Sequence, residues 1–484
     1  MADAQQVTPT SSFTGRLGMA AAVSAISALL YGYDTGIISG ALLQIEDDFD
    51  IGSAMKQIIA ASILLGAVIG ALVCSRVSEQ RGRRGTILVL AVIFTLGAIL
   101  CALAPTATTL SLGRIFLGFA VGGGTQTIPM YVAELAPAPL RGRLVLTFQV
   151  GIGVGIVLST LVGASEAVDW RVAIGAASVP AAIMFVLMLR LPESPRWLVK
   201  QNRTDDARDV LTQIRAEGHD IEGEVEEIVD VEQREREAAT SGWDGLRKPW
   251  VRPALIVGCG IAIATQLSGI EMIVYYAPTI LTDNGFSDTA ALRVSVALGV
   301  TYLVMMLVGL SIVDRVGRRR LTLGMIPGAA LALFALGAIF AFGLDKPSTL
   351  WLIIACLIVF MFFNAGGLQL MGWLTGAEIY PLAVRGAGTS AQSAVLWTTN
   401  LLITLTLLTM IDGIGVGPTL WVYALFNVGA WIFVWKRMPE LTGRSLEQIE
   451  CKLREGHFRP ADFENLPETA RTRPAASRPA PAQG

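Results

Sequence analysis

The residues with most to say about chemistry are ionisable side chains set inside apolar runs. Asp34, in Tyr31-Gly-Tyr-Asp-Thr-Gly36, and Arg114 both lie within stretches too apolar for water, where a charge is costly enough to mark a candidate functional residue. Counting inward from the ends of their runs at about 1.5 Å per residue puts both roughly 14 to 18 Å deep, so the two can pair. That pair is compatible with two roles. It can be a buried structural ion pair, or a proton switch in which protonating Asp34 weakens its hold on Arg114 and shifts the balance between two conformations. Glu271 is a third ionisable residue at nearly the same depth, two residues after Gly269, and the sequence offers it no visible base partner.

Such residues must be positioned by helices that cross a bilayer. Hydrophobic residues make up 53% of the 484 and charged residues 16%, well short of the roughly 25% charged that a soluble domain carries. Apolar runs of about 20 residues span a hydrocarbon core of about 30 Å as helices, and they lack the alternation of a membrane barrel. Twelve runs are visible, at 17–42, 54–75, 86–104, 108–132, 144–165, 171–191, 253–281, 291–312, 321–342, 349–376, 387–410 and 417–435, here called spans 1 to 12. A soluble enzyme is excluded. The net charge of -2 gives no footing for a nucleic-acid partner, and five scattered cysteines and two separated histidines point to no disulfide, metal or cofactor. The N-terminus lacks the pattern of a cleaved signal, so span 1 is expected to be retained.

Arginines fill alternate short loops: Arg81, Arg83 and Arg84 between spans 2 and 3, Arg141 and Arg143 between spans 4 and 5, Arg315, Arg318, Arg319 and Arg320 between spans 8 and 9, and Arg385 between spans 10 and 11. Those loops are expected to be cytoplasmic, and both termini with them. The charge-rich stretch between spans 6 and 7 carries Ile221, Val225, Ile228 and Val231 at helical spacing, which predicts short amphipathic helices. The expected division is a cytoplasmic N-terminus (1–15), a six-helix bundle (16–191), a cytoplasmic helical linker (192–250), a second six-helix bundle (251–437) and a cytoplasmic tail (438–484) whose Pro/Ala-rich end is disordered.

A repeat supports the two bundles. Glu79-x-x-Gly82-Arg83-Arg84 recurs as Asp314-Arg315-Val316-Gly317-Arg318-Arg319, Glu134 with Arg141-Gly142 as Glu378 with Arg385-Gly386, and Pro192-Glu193 as Pro439-Glu440. Three motifs in one order, each repeated about 240 residues on, imply a duplicated six-helix unit. These charges can cross-link the two bundles on one face, as a network present in one state and broken in another, or can serve only to set topology.

By these residues the chain resembles the sugar porter family of the major facilitator superfamily. Pro192-Glu193-Ser194-Pro195-Arg196-Trp197-Leu198 matches that family's signature in full, and Gln266-Leu-Ser-Gly269-Ile with Tyr275-Tyr276-x-Pro278 looks like its span 7 motif. Gln80, Ser75 and Leu441-Thr442 depart from the family pattern. The resemblance implies an all-α membrane protein of twelve transmembrane helices, in two bundles that rock around a midplane site in the cell membrane, acting as a monomer without cofactors. It implies a secondary transporter importing a monosaccharide or related polyol with protons. A passive uniporter, or a carrier of another small metabolite on the same fold, is the alternative. Asp34 and Arg114 would couple the proton. Gln149, Gln266, Glu271, Tyr275, Gln369, Trp373, Trp397 and Asn400 would line the substrate site. Glu79, Arg83, Glu134, Arg141, Glu193, Arg196, Asp314, Arg315, Arg318, Glu378, Arg385 and Glu440 would form the cytoplasmic gate. Glu271 stands where the family usually has an asparagine. It is read as a carboxylic acid replacing that amide, as a second proton-coupling site, or as a structural hydrogen-bonding group.

Overall fold

The computed structural model describes residues 15–464, apart from 166, 217, 238–241, 284, 345–348, 382–383 and 445. The far tail expected to be disordered and the side chain of Arg141 lie outside the described residues. The spans are span 1 Gly15–Phe49, span 2 Ser53–Arg81, span 3 Arg83–Ala102, span 4 Ala107–Leu135, span 5 Ala138–Gly163, span 6 Trp170–Gly175 with Ser178–Leu189, span 7 Arg252–Leu267 with Ile270–Asp283, span 8 Asp288–Val316, span 9 Arg318–Ala341, span 10 Leu350–Ala365 with Leu368–Ile379, span 11 Arg385–Ile414 and span 12 Val416–Arg437. Ten are long and apolar enough to cross a membrane by composition. Spans 4 and 5 complete the twelve, packing heavily on spans 2 and 1 while leaving Leu112, Phe116, Leu158 and Leu161 exposed.

Small residues make that inward packing possible. A Cβ on Gly118 would fall 1.8 Å from the Ile63 carbonyl oxygen of span 2, and one on Gly155 would fall 2.3 Å from the Leu29 carbonyl oxygen of span 1. Backbones in lipid approach this closely only where glycine or alanine removes the side chain between them. Spans 2 and 4, and spans 1 and 5, are locked in this way. Across the molecule, span 2 packs on span 11 and span 5 on span 8, so one continuous core joins the bundles.

Three spans are broken, each for a local reason. Gly269 adopts φ +93, which ends Arg252–Leu267 and lets Ile270–Asp283 start afresh. The Ser268 carbonyl freed there accepts from Asn427 Nδ2 of span 12 at 2.8 Å, as a buried backbone group in lipid must. Gly366–Gly367 divides span 10. In span 6, Pro180 has no N–H to give the Ala176 carbonyl, and the helix restarts at Ser178.

Four short helices, Pro195–Lys200, Thr204–Ile214, Ile221–Glu237 and Gly242–Gly245, connect the bundles. The predicted amphipathic stripe is present, with Val225 buried. The segment is clipped to the first bundle by Arg215, which donates to the Leu135 carbonyl at the end of span 4 (2.6 Å) and is held by Glu224. These helices define one end of the molecule, called the linker face below.

Candidate functional site

Two half-helices deliver side chains to the middle of the molecule. Glu271 lies in the first turn of Ile270–Asp283 and Gln369 in the first turn of Leu368–Ile379, so two helix N-termini with their partial positive charge face the interior. Around them sits an aromatic trio. Tyr31 of span 1 is edge-on to Trp397 of span 11 at 5.3 Å and to Trp373 of span 10 at 6.5 Å, and the two indoles are 6.3 Å apart. The Glu271 carboxyl is within electrostatic range of the Tyr31, Tyr275 and Tyr302 hydroxyls, and Tyr302 of span 8 lies beside Gln369.

The polar atoms here are unusually idle. Gln149 Oε1, Gln266 Oε1, Gln369 Oε1, Trp397 Nε1 and Asn400 Nδ2 are all buried without a hydrogen-bond partner. Buried polar groups are nearly always paired, and each orphan costs about 1–3 kcal/mol. Five such atoms fall on residues singled out in the sequence, three acceptors and two donors carried by spans 5, 7, 10 and 11.

Asp34 and Arg114 do meet. Arg114 Nη2 is 3.4 Å from Asp34 Oδ2, and its Nε donates to the Ile59 carbonyl of span 2 at 2.9 Å. Both side chains are buried, Arg114 completely. The next residue, Thr35, lies beside Tyr275, which is in electrostatic range of both Asp34 and Glu271. The ion pair of the first bundle and the carboxyl of the second are therefore joined through one tyrosine.

On the linker face the charges are arranged differently from the expected cross-links. Arg83 grips Glu134 through Nε and Nη2 at 3.1 and 3.2 Å, and Arg318 grips Glu378 at 3.1 and 2.8 Å, each within its own bundle. Arginine and glutamate flank neighbouring loops of one repeat, so the short reach is internal. Glu193 accepts the N–H groups of Arg83 (2.9 Å) and Arg84 (3.1 Å), capping span 3, and Glu440 accepts those of Arg318 (2.9 Å) and Arg319 (3.1 Å), capping span 9. Gly82 and Gly317 permit this with φ +95 and +96, where a Cβ would collide with the capping carboxylate. Both copies form alike despite Gln80, because the backbone makes the contact. Asp314 pairs with Arg318 at 2.8 Å, Arg315 is exposed, Arg196 is half-buried, and Arg385 donates to the Tyr380 carbonyl at 3.3 Å. Glu79 does reach across, its carboxylate lying beside Gly386 of span 11. Uncharged pairs also link the bundles: Gln126 donates to Ser393 and, toward the opposite face, Gln57 to Thr409 at 3.1 Å.

Sequence reasoning missed Tyr31, Tyr302 and Asn364, whose amide is buried with neither atom partnered. Tyr31 was findable, since it precedes Asp34 by three residues and so shares its helix face. Tyr302 and Asn364 carry no local signal.

The model of the family described as sugar (and other) transporter matches residues 20–453. The chain belongs to that family. It is 37% identical over 437 residues to the D-xylose transporter of Levilactobacillus brevis, covering 89% of this chain and 94% of that one. It is 36% identical over 443 residues to the major myo-inositol transporter of Bacillus subtilis (strain 168), covering 89% and 93%. The solved structure of the major facilitator superfamily proton:xylose symporter XylE bound to 6-bromo-6-deoxy-D-glucose superposes with a TM-score of 0.75 at 25% identity, over 91% of this chain and 99% of that one. The transporter is thus a multi-pass membrane protein of the sugar porter type, not an enzyme, with the twelve-helix major facilitator fold.

Proposed function

We propose that the transporter carries a monosaccharide or related polyol inward with protons, by alternating access. The observation that carries this reading is the set of five buried amide and indole atoms left without a partner on spans 5, 7, 10 and 11, together with the Tyr31–Trp373–Trp397 trio. Sugar hydroxyls both donate and accept, and sugar C–H faces pack on aromatic rings. Gln149, Gln266, Glu271, Tyr275, Gln369, Trp373, Trp397 and Asn400 are assigned to the substrate.

Asp34 and Arg114 are assigned to the proton. While Asp34 is ionised, Arg114 ties span 1 to span 4 and, through the Ile59 carbonyl, to span 2. A proton on Asp34 releases that tie one residue from the Thr35–Tyr275 contact, which joins the two bundles. The arginine-rich loops favour a cytoplasmic linker face, with both termini on that side of the plasma membrane. On this reading the two capped loops are rigid handles of each bundle, and Glu79 and Gln126 are the contacts that part when the linker face opens. Purified protein in proteoliposomes, offered pentoses, hexoses and inositols with and without an inward proton gradient, tests the assignment. Gradient-stimulated uptake of a sugar or inositol supports it, and uptake indifferent to the gradient favours a uniporter.

A further inference from the structure

Glu271 differs from the other carboxyl at this depth. Asp34 has Arg114, whereas among the described residues no base pairs with Glu271, which is 5% exposed. The titratable groups that face it are Tyr31 of span 1, Tyr302 of span 8 and Tyr275 of its own half-helix, and Tyr275 in turn lies in range of Asp34 and Arg114. Span 11 and the half-helices Arg252–Leu267 and Leu350–Ala365 bring no acid or base to this depth, and Arg114 is bonded through Nε and Nη2 to the Ile59 carbonyl and Asp34, with Nη1 left without a partner. The half-helix N-terminus favours an anion at Glu271 by less than burial without a cation disfavours it.

The donor and acceptor tally points the same way. The orphaned atoms among the assigned substrate ligands are three acceptors, on Gln149, Gln266 and Gln369, and two donors, on Trp397 and Asn400. An ionised Glu271 adds only acceptors. A protonated Glu271 adds a third donor while keeping a carbonyl, the same pair of functions as an amide.

Building on the sugar reading above, we propose that Glu271 binds the substrate in its protonated form and carries a proton distinct from the one on Asp34, so that substrate affinity is itself pH-dependent. The proton comes from water when the site is open and returns to water when the substrate leaves. Tyr275, between the two carboxyls, lets one bundle sense the charge state of the other.

The test uses full-length Asp34→Asn protein in detergent, titrated calorimetrically with D-xylose and with myo-inositol from acid to alkaline pH. In this background the apparent Kd rises on the alkaline side, approaching about tenfold per pH unit, and adding Glu271→Gln flattens the slope whatever the absolute affinity. As a second readout, wild type takes up a proton from a weakly buffered dye solution when sugar is added at alkaline pH, and Glu271→Gln takes up less. A flat profile in Asp34→Asn, or a slope that survives Glu271→Gln, overturns the proposal while leaving sugar binding intact. Failure of wild type to bind either probe or any sugar overturns the underlying sugar reading and this proposal with it.

Discussion

Replacing Trp397 by Phe separates the two jobs of its indole. The ring lies edge-on to Tyr31 at 5.3 Å and to Trp373 at 6.3 Å, while Nε1 is buried with no partner. Phe keeps an aromatic ring in the trio and deletes only the donor and part of the ring. In the substrate-free protein the orphaned N–H costs about 1–3 kcal/mol, and the cavity left by a smaller ring costs a similar amount, about 1–2 kcal/mol. The two offset, so the melting temperature moves by no more than a few degrees. In the bound protein the account is one-sided: the N–H that satisfied itself on a sugar hydroxyl is gone. Affinity falls by about 1–2 kcal/mol, roughly five- to thirtyfold. Calorimetric titration and thermal unfolding on the same preparation read both quantities. Affinity within about twofold of wild type would refute the assignment of Nε1 to the substrate. Affinity and stability lost together would mean that the ring's packing, not its donor, is what matters.

Two further outcomes follow from the geometry outside the site. Gly118→Val puts atoms where the Ile63 carbonyl oxygen already lies, 1.8 Å from the position of a Cβ, so the first bundle does not close; loss of the monodisperse folded peak in size-exclusion chromatography checks this, and a normal peak contradicts it. Burial alone would raise Glu224, but Arg215 and His219 hold it below its ordinary value of 4.5. A lowered folded value means its stabilisation is complete above about pH 4.5 and is lost as pH falls through the lower folded value. Hydrogen exchange in Ile221–Glu237 therefore rises on acidification below that point, and Arg215→Ala shows the raised exchange already at neutral pH.

Much of the architecture was legible because its causes are local or repeated. Run length and composition name the spans, and the recurrence of Gly82-Arg83 as Gly317-Arg318 names the duplication. Depth counting alone brought Asp34 to Arg114, since a helix converts residue number into distance. The break after Leu267 was foreshadowed by Gly269, and the break in span 6 is intelligible from Pro180, though neither marks its own exact end. What was not legible depends on partners far apart in sequence. The motif charges looked like links between bundles, yet Arg83 and Arg318 turn to Glu134 and Glu378 of their own repeat, because only the fold decides which of several loops lies nearest. Tyr302 and Asn364 reach the interior from spans 8 and 10 through helix rotation, which apolar runs without a strong polar face leave undetermined.

The measurement that bears most directly on proton-coupled transport compares Asp34→Asn with wild type in proteoliposomes, for any sugar that wild type accumulates. Asparagine keeps the size of the side chain and a hydrogen bond to Arg114 but cannot exchange a proton. The variant is expected to exchange labelled for unlabelled sugar across the membrane while losing the accumulation that the Asp34 proton drives, so that under an imposed proton gradient it reaches a sugar level well below that of wild type. Accumulation at the wild-type level in that variant would contradict the account.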